Sequence, residues 1–115
     1  MTITLHGIPN CDTVKKARMW LDAHAVAFTF HDYKKAGIDA GTLKGWADEV
    51  GWEVLLNRAG STFKKLPDAD KANLDEKRAI ALMLAQPSMI KRPVVTGAGA
   101  LLVGFKPDIY AERFA

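Results

Sequence analysis

The chain has 115 residues, 49% hydrophobic and 25% charged, which fits a single domain spanning 1–115 with a core of its own. Its net charge of +3 comes from basic residues mixed with acidic ones along the whole length, a pattern that argues against nucleic-acid binding and suits a small anionic ligand. A lone cysteine excludes an intramolecular disulfide and a cysteine zinc cluster. No segment approaches the ~20 apolar residues of a membrane span, and the start has no basic stretch leading into a long apolar run, so a cytoplasmic location without membrane partners is expected.

Thr2, Ile3, Thr4 and Leu5 favour a short first strand, which Gly7 and Pro9 should stop. Asn10 is then a suitable N-cap for a helix whose first turn holds Cys11, Asp12 and Thr13, and whose inner stripe is Val14, Ala17, Arg18 and Leu21. Residues 26–33 alternate, with Val26, Phe28 and Phe30 on one face, and read as a second strand; Lys34 to Gly37 break the pattern. Strand, helix and strand within so short a stretch predict a right-handed crossover with parallel strands. Thr42 can cap a helix reaching Val50, with Leu43, Trp46, Ala47 and Val50 inward, and Gly51 ends it. Residues 52–66 mix short apolar turns around Gly60. Asn73 or Asp75 opens a helix through Ala85 that Gln86-Pro87 terminates. Two apolar runs around Thr96-Gly97-Ala98-Gly99 give a hairpin signal, and Pro107 suits the first turn of a last helix to about Arg113. This order predicts an α/β thioredoxin-like plan: a four-stranded mixed sheet, first pair parallel and last pair antiparallel, with a helical insertion over about 40–87.

Placing Cys11 at a helix start has a chemical consequence. A free thiol of pKa ~8.5 is only about 3% ionised at pH 7. The unpartnered N–H groups and positive dipole end of a helix N-terminus, with Lys15 or Lys16 adding charge, stabilise the thiolate. At a pKa of ~6 about 90% would be nucleophile. His6, His24 and His31 lack metal-ligand spacing, so no metal site is expected; His24 suits the C-terminal end of its helix. Trp20, Trp46 and Trp52 lie on or beside apolar stripes, as core residues do.

The segments GIPNCDTVKKARMWL, LLNRAGSTFKKL, MIKRPVV and LLVGFKPDIY, in that order and spacing, resemble the ArsC/Spx/YffB family of small thioredoxin-fold proteins. The resemblance covers essentially the whole chain and is greatest to the arsenate-reductase-like, glutathione-dependent thiol reductases within that family. It implies that Cys11 attacks an anionic or disulfide substrate and that glutathione or a glutaredoxin regenerates it. Arg92-Pro93 matches the arginine and proline before the third strand, which implies a cis peptide bond and backbone beside the sulfur. Lys15 and Lys106 stand where the arsenate reductases carry arginine, keeping the charge and losing the bidentate fork. Glu53 stands at a third arginine position, with Arg58 nearby as a replacement.

Cys11 is therefore the expected catalytic residue, with Asn10, Thr13, Lys15, Arg58, Arg92, Pro93 and Lys106 around the substrate or glutathione. Lys15, Arg58 and Lys106 are equally what a solvated surface carries. The leading expectation is a thiol oxidoreductase with no bound cofactor and glutathione as co-substrate, because a chain without a second cysteine needs an external thiol to resolve its adduct. The alternatives are an arsenate reductase coupled to glutathione and glutaredoxin, and a non-enzymatic, Spx-like regulator that binds RNA polymerase. Against the last, Val14 stands where the second cysteine of the CxxC switch that Spx-type proteins usually carry would be.

Overall fold

The computed structural model describes residues 2–114. In chain order the elements are β1 (Thr4–Gly7), α1 (Asp12–Ala23), β2 (Thr29–Asp32), α2 (Tyr33–Ala36), α3 (Ala40–Val50), α4 (Trp52–Leu55), α5 (Ser61–Lys64), α6 (Asp68–Lys71), α7 (Glu76–Ala85), β3 (Val94–Thr96), β4 (Leu102–Val103) and α8 (Pro107–Phe114); a 3-10 turn, Pro87–Met89, follows α7. These form two units. One holds the chain up to Ala36 and from Arg92 onward, the other Gly37–Lys91.

The first unit is built on one sheet of order β2-β1-β3-β4. β1 runs parallel to β2, with Leu5 opposite Phe30 and Gly7 opposite Asp32. β1 runs antiparallel to β3, with Leu5 opposite Val95 and His6 opposite Val94. β3 and β4 are antiparallel, as the hairpin signal predicts. The pleat sends alternate residues to opposite faces, so Leu5, Val95 and Leu102 join Val14, Ala17 and Leu21 of α1 and Tyr110 of α8 in one core. Each fully buried aliphatic side chain of this set contributes about 1.5–3 kcal/mol. Gly7 lets α1 approach closely: a Cβ there would lie 2.9 Å from Cγ2 of Val14.

Several boundaries differ from expectation. The first strand is centred two residues later than 2–5 and includes Gly7, whose lack of a side chain serves packing rather than termination. Asn10 is not the N-cap; Cys11 is, with an extended backbone at φ −119° and ψ 124° and its carbonyl accepting from Lys15 N–H at 2.9 Å. The second strand is shorter than 26–33. The Asp32 carboxylate accepts from the N–H groups of Lys34 and Lys35 and so caps α2, drawing Tyr33 into the helical turn.

The Gly37–Lys91 unit is helical. Asp39, not Thr42, caps α3: its carboxylate accepts the Thr42 N–H at 2.7 Å, which starts the helix at Ala40. Asp75 caps α7 through the Arg78 N–H, one of the two capping residues expected. Leu43, Trp46 and Ala47 of α3, Leu55 of α4, and Ala79 and Met83 of α7 are buried. An isolated bridge joins Leu56 to Ile90, flanked by Asn57 N–H to the Met89 carbonyl at 2.8 Å. A short helix, α6, has no counterpart in the sequence pattern; Pro67 precedes it, and Asp68 and Asp70 favour its N-terminal end.

Candidate active site

Two parallel strands, β1 and β2, end on the same side of the sheet, so the helices that follow them begin there too. The antiparallel β3 starts at that side. Three chain segments distant in sequence thereby deliver Cys11, Tyr33 and Arg92 to one place.

Cys11 is partly exposed and rests against the core of the first unit. No side-chain cap of ordinary hydrogen-bond geometry closes this end of α1. The sulfur occupies the position instead, near the backbone N–H groups of the first turn. Partial burial works against ionisation of the thiol. The Val14 N–H, the hydrogen bonding and charge of Arg92, and the Thr13 N–H outweigh it and hold the thiol below its ordinary value. Two features of the site are thus local to α1 and one, the cation, arrives from the segment just before β3. These contacts favour the thiolate form of a sulfur exposed enough to attack or be attacked.

Arg92 precedes the buried Pro93 through a cis peptide bond, as the family resemblance implies. Pro93 has no N–H of its own, and its carbonyl accepts from Gly104 N–H at 2.8 Å, which ties the start of β3 to the end of β4. Tyr33, which escaped the sequence reading, is fully buried beside Arg92. Its one local mark is its position at the end of the strand parallel to β1, where it opens α2.

Thr13 contributes its backbone N–H. Asn10 and Lys15 are exposed, in the turn before α1 and on its outer surface. Lys106 is exposed at the start of α8, where its carbonyl accepts the Tyr110 N–H at 3.0 Å. Among the described residues no hydrogen bond or ion pair engages the side chains of Asn10, Lys15 or Lys106. Arg58 belongs to the Gly37–Lys91 unit, where its guanidinium lies 5.9 Å above the Trp52 ring. Among the described residues no group of three or more His, Cys, Asp or Glu side chains is arranged to hold a metal ion.

On the sheet of the same unit, the His6 Nε2 lies 3.0 Å from Thr96 Oγ1, and its ring meets His31 edge to face at 5.3 Å. Burial, then the neighbouring His31, push the His6 pKa down to about 4, so this imidazole is neutral at physiological pH. His24 ends α1, as its sequence position suggests: its Nδ1 lies 2.8 Å from the Trp20 carbonyl and its ring stacks on the indole.

A four-stranded mixed sheet opening with β-α-β, a cysteine at the start of the first helix and a cis-proline at the start of the third strand define a thioredoxin-like fold. The chain belongs to the ArsC family, whose model matches residues 6–113. It is similar to a solved structure named YFFB, with 62% identity, a TM-score of 0.95 and coverage of 99% of this chain and 100% of that one. It is also similar to an arsenate reductase (ArsC) related protein from Brucella melitensis, with 57% identity, a TM-score of 0.81 and coverage of 99% and 95%. A third relative is the global transcriptional regulator Spx 1 of Lactococcus lactis, 30% identical over 92% of this chain and 84% of that one. Among the described residues no helix is long and apolar enough to cross a membrane.

Proposed function

We propose that the protein is a thiol oxidoreductase in which the Cys11 thiolate attacks a disulfide-type sulfur and an external thiol, glutathione, completes the cycle. The observation that carries this reading is the placement of Cys11 at the N-cap of α1, where the Thr13 and Val14 N–H groups and Arg92 favour its thiolate. The thiolate attacks one sulfur of the substrate disulfide. A bond forms between Cys11 Sγ and that sulfur, and the other sulfur leaves as thiolate. A glutathione thiolate then attacks the half of the mixed disulfide that came from the substrate, forming a glutathione disulfide and returning the electron pair to Cys11. The second step needs the external thiol because the chain has no other cysteine. Arg92 neutralises charge at the sulfur and offers a guanidinium to a carboxylate of the incoming peptide-like thiol. Exposed Lys15 and Lys106 are the further cations that the family resemblance assigns to the same anionic group.

The test is glutathione consumption with a small mixed disulfide as oxidant, under reducing cytoplasm-like conditions. Cys11→Ser should abolish it, and consumption equal to that of the intact protein would overturn the reading.

A second reading, arsenate reduction with glutathione and a glutaredoxin, is favoured by the similarity to an arsenate reductase-related protein. It is weakened by Lys15, Lys106 and Glu53 at positions where the resemblance leads one to expect arginine. Cys11-dependent arsenate turnover with both thiol components supplied would promote it. The Spx-like alternative, a regulator binding RNA polymerase, has a relative in its favour and Val14 against it; recovery of a polymerase subunit by the immobilised protein would support it.

A further inference from the structure

Tyr33 opens α2 directly after Asp32, which stands opposite Gly7 at the end of β1. Arg92 lies on the other side of β1, two residues before Val94, the partner of His6. The two residues therefore flank the strand whose end leads into Cys11. Tyr33 is fully buried, and no hydrogen bond of ordinary geometry reaches its hydroxyl among the described residues. An unsatisfied buried hydroxyl costs about 1–3 kcal/mol, so phenylalanine would serve packing at least as well.

The chemistry of the neighbours gives the oxygen a use. A guanidinium has only donors, whereas a phenol oxygen accepts. Burial pushes the Tyr33 pKa up to about 12, against the pull of the Arg92 charge and an incomplete hydrogen bond from it; the Cys11 thiolate and Asp32 reinforce the rise. The phenol is thus neutral wherever the thiolate is formed, and it can accept from Arg92 without competing with the sulfur for the cation.

We infer that Tyr33 is a positioning residue: its buried, otherwise unused phenol oxygen is the acceptor that keeps the Arg92 guanidinium turned toward the Cys11 sulfur. This rests on the thiolate reading above. Tyr33 acts through Arg92 and need not touch substrate.

The experiment is the pH profile of Cys11 alkylation by iodoacetamide in the reduced full-length protein, for the parent, Tyr33→Phe, Arg92→Met and the double variant. Tyr33→Phe should move the profile to higher pH and lower the alkylation rate at pH 6.5 by at least about twofold, the lower end of coupling between contacting residues. Its thermal midpoint should be unchanged or raised, which separates positioning from support of the fold. In the Arg92→Met background the Tyr33→Phe effect should vanish. A parent-like profile in Tyr33→Phe, or an equal effect with and without Arg92, overturns the inference while leaving the thiolate reading intact. A parent profile centred on the ordinary thiol value overturns both.

Discussion

The Arg92 guanidinium favours the Cys11 thiolate by charge and hydrogen bonding, although the whole Gly37–Lys91 unit lies between them in the chain. The backbone N–H groups of Thr13 and Val14 favour the same anion from within α1. Arg92→Met removes the cation and leaves those donors in place. Hydrogen bonds to charged groups are worth roughly 1.5–3 kcal/mol, so Cys11 alkylation at pH 6 should slow by about tenfold or more. The rate at pH well above the free-thiol value, where every variant is ionised, should change little. Stopped alkylation across pH 5–10 with mass-spectrometric readout measures this.

His6 gives a stability signature. Its folded pKa of about 4 lies below the ~6.5 of an unfolded histidine. Between those values the unfolded chain binds the extra proton, so the neutral imidazole's contribution is complete above the unfolded pKa and is lost as pH falls toward the folded one. The urea midpoint should fall from pH 7 to pH 4.5, and His6→Gln should fall less across the same interval. Parallel slopes for the two proteins would count against a depressed His6.

Gly97 sits at φ +87° after β3, and a Cβ there would overlap the carbonyl oxygen of Thr2. Gly97→Ala combines a left-handed backbone costing about 1–3 kcal/mol with a clash against main chain that has no flexible end to move. The expected loss exceeds about 2 kcal/mol in a urea titration. Gly37, also at positive φ but with nothing near its Cβ direction, should lose less when changed to Ala.

Tyr110 is buried in the core and donates its hydroxyl to the Gly104 carbonyl at 3.1 Å, while Gly104 N–H donates to Pro93. Tyr110→Phe leaves that carbonyl short of its partner. A destabilisation of about 1 kcal/mol is expected, with the aromatic contacts to Trp20, Phe105 and Phe114 retained. Near-ultraviolet circular dichroism should be preserved.

Much of the first unit was legible because its signals are local and agree with one another. Val14, Ala17 and Leu21 sit at helical spacing and form the buried stripe of α1, and the glycine-rich stretch from Thr96 joins β3 to β4. The ends of elements were less legible. Asx caps at Asp32 and Asp39 start their helices earlier than the apolar pattern does, and a sulfur occupies the position for which Asn10 seemed suited. In the candidate site, Cys11 and Arg92 were named from sequence, and the latter depended on the family resemblance, since an arginine before a proline is unremarkable by itself. Tyr33 was hidden because strand alternation assigns it a place in a sheet, while its importance comes from burial beside Arg92, a neighbour distant in the chain that no local pattern reveals.

The pairing of β3 along β1 makes the acidity of Cys11 an assembly-dependent property. A chain segment ending before Arg92 could wind α1 and point its first N–H groups at the sulfur, yet it would lack the cation. Its thiol would be blunter than that of the finished unit. During synthesis the cysteine emerges early and the arginine late, so the cation reaches the sulfur only once β3 has paired with β1. Thiol reactivity at mildly acid pH is, by the same token, a built-in gauge of whether β3 has docked.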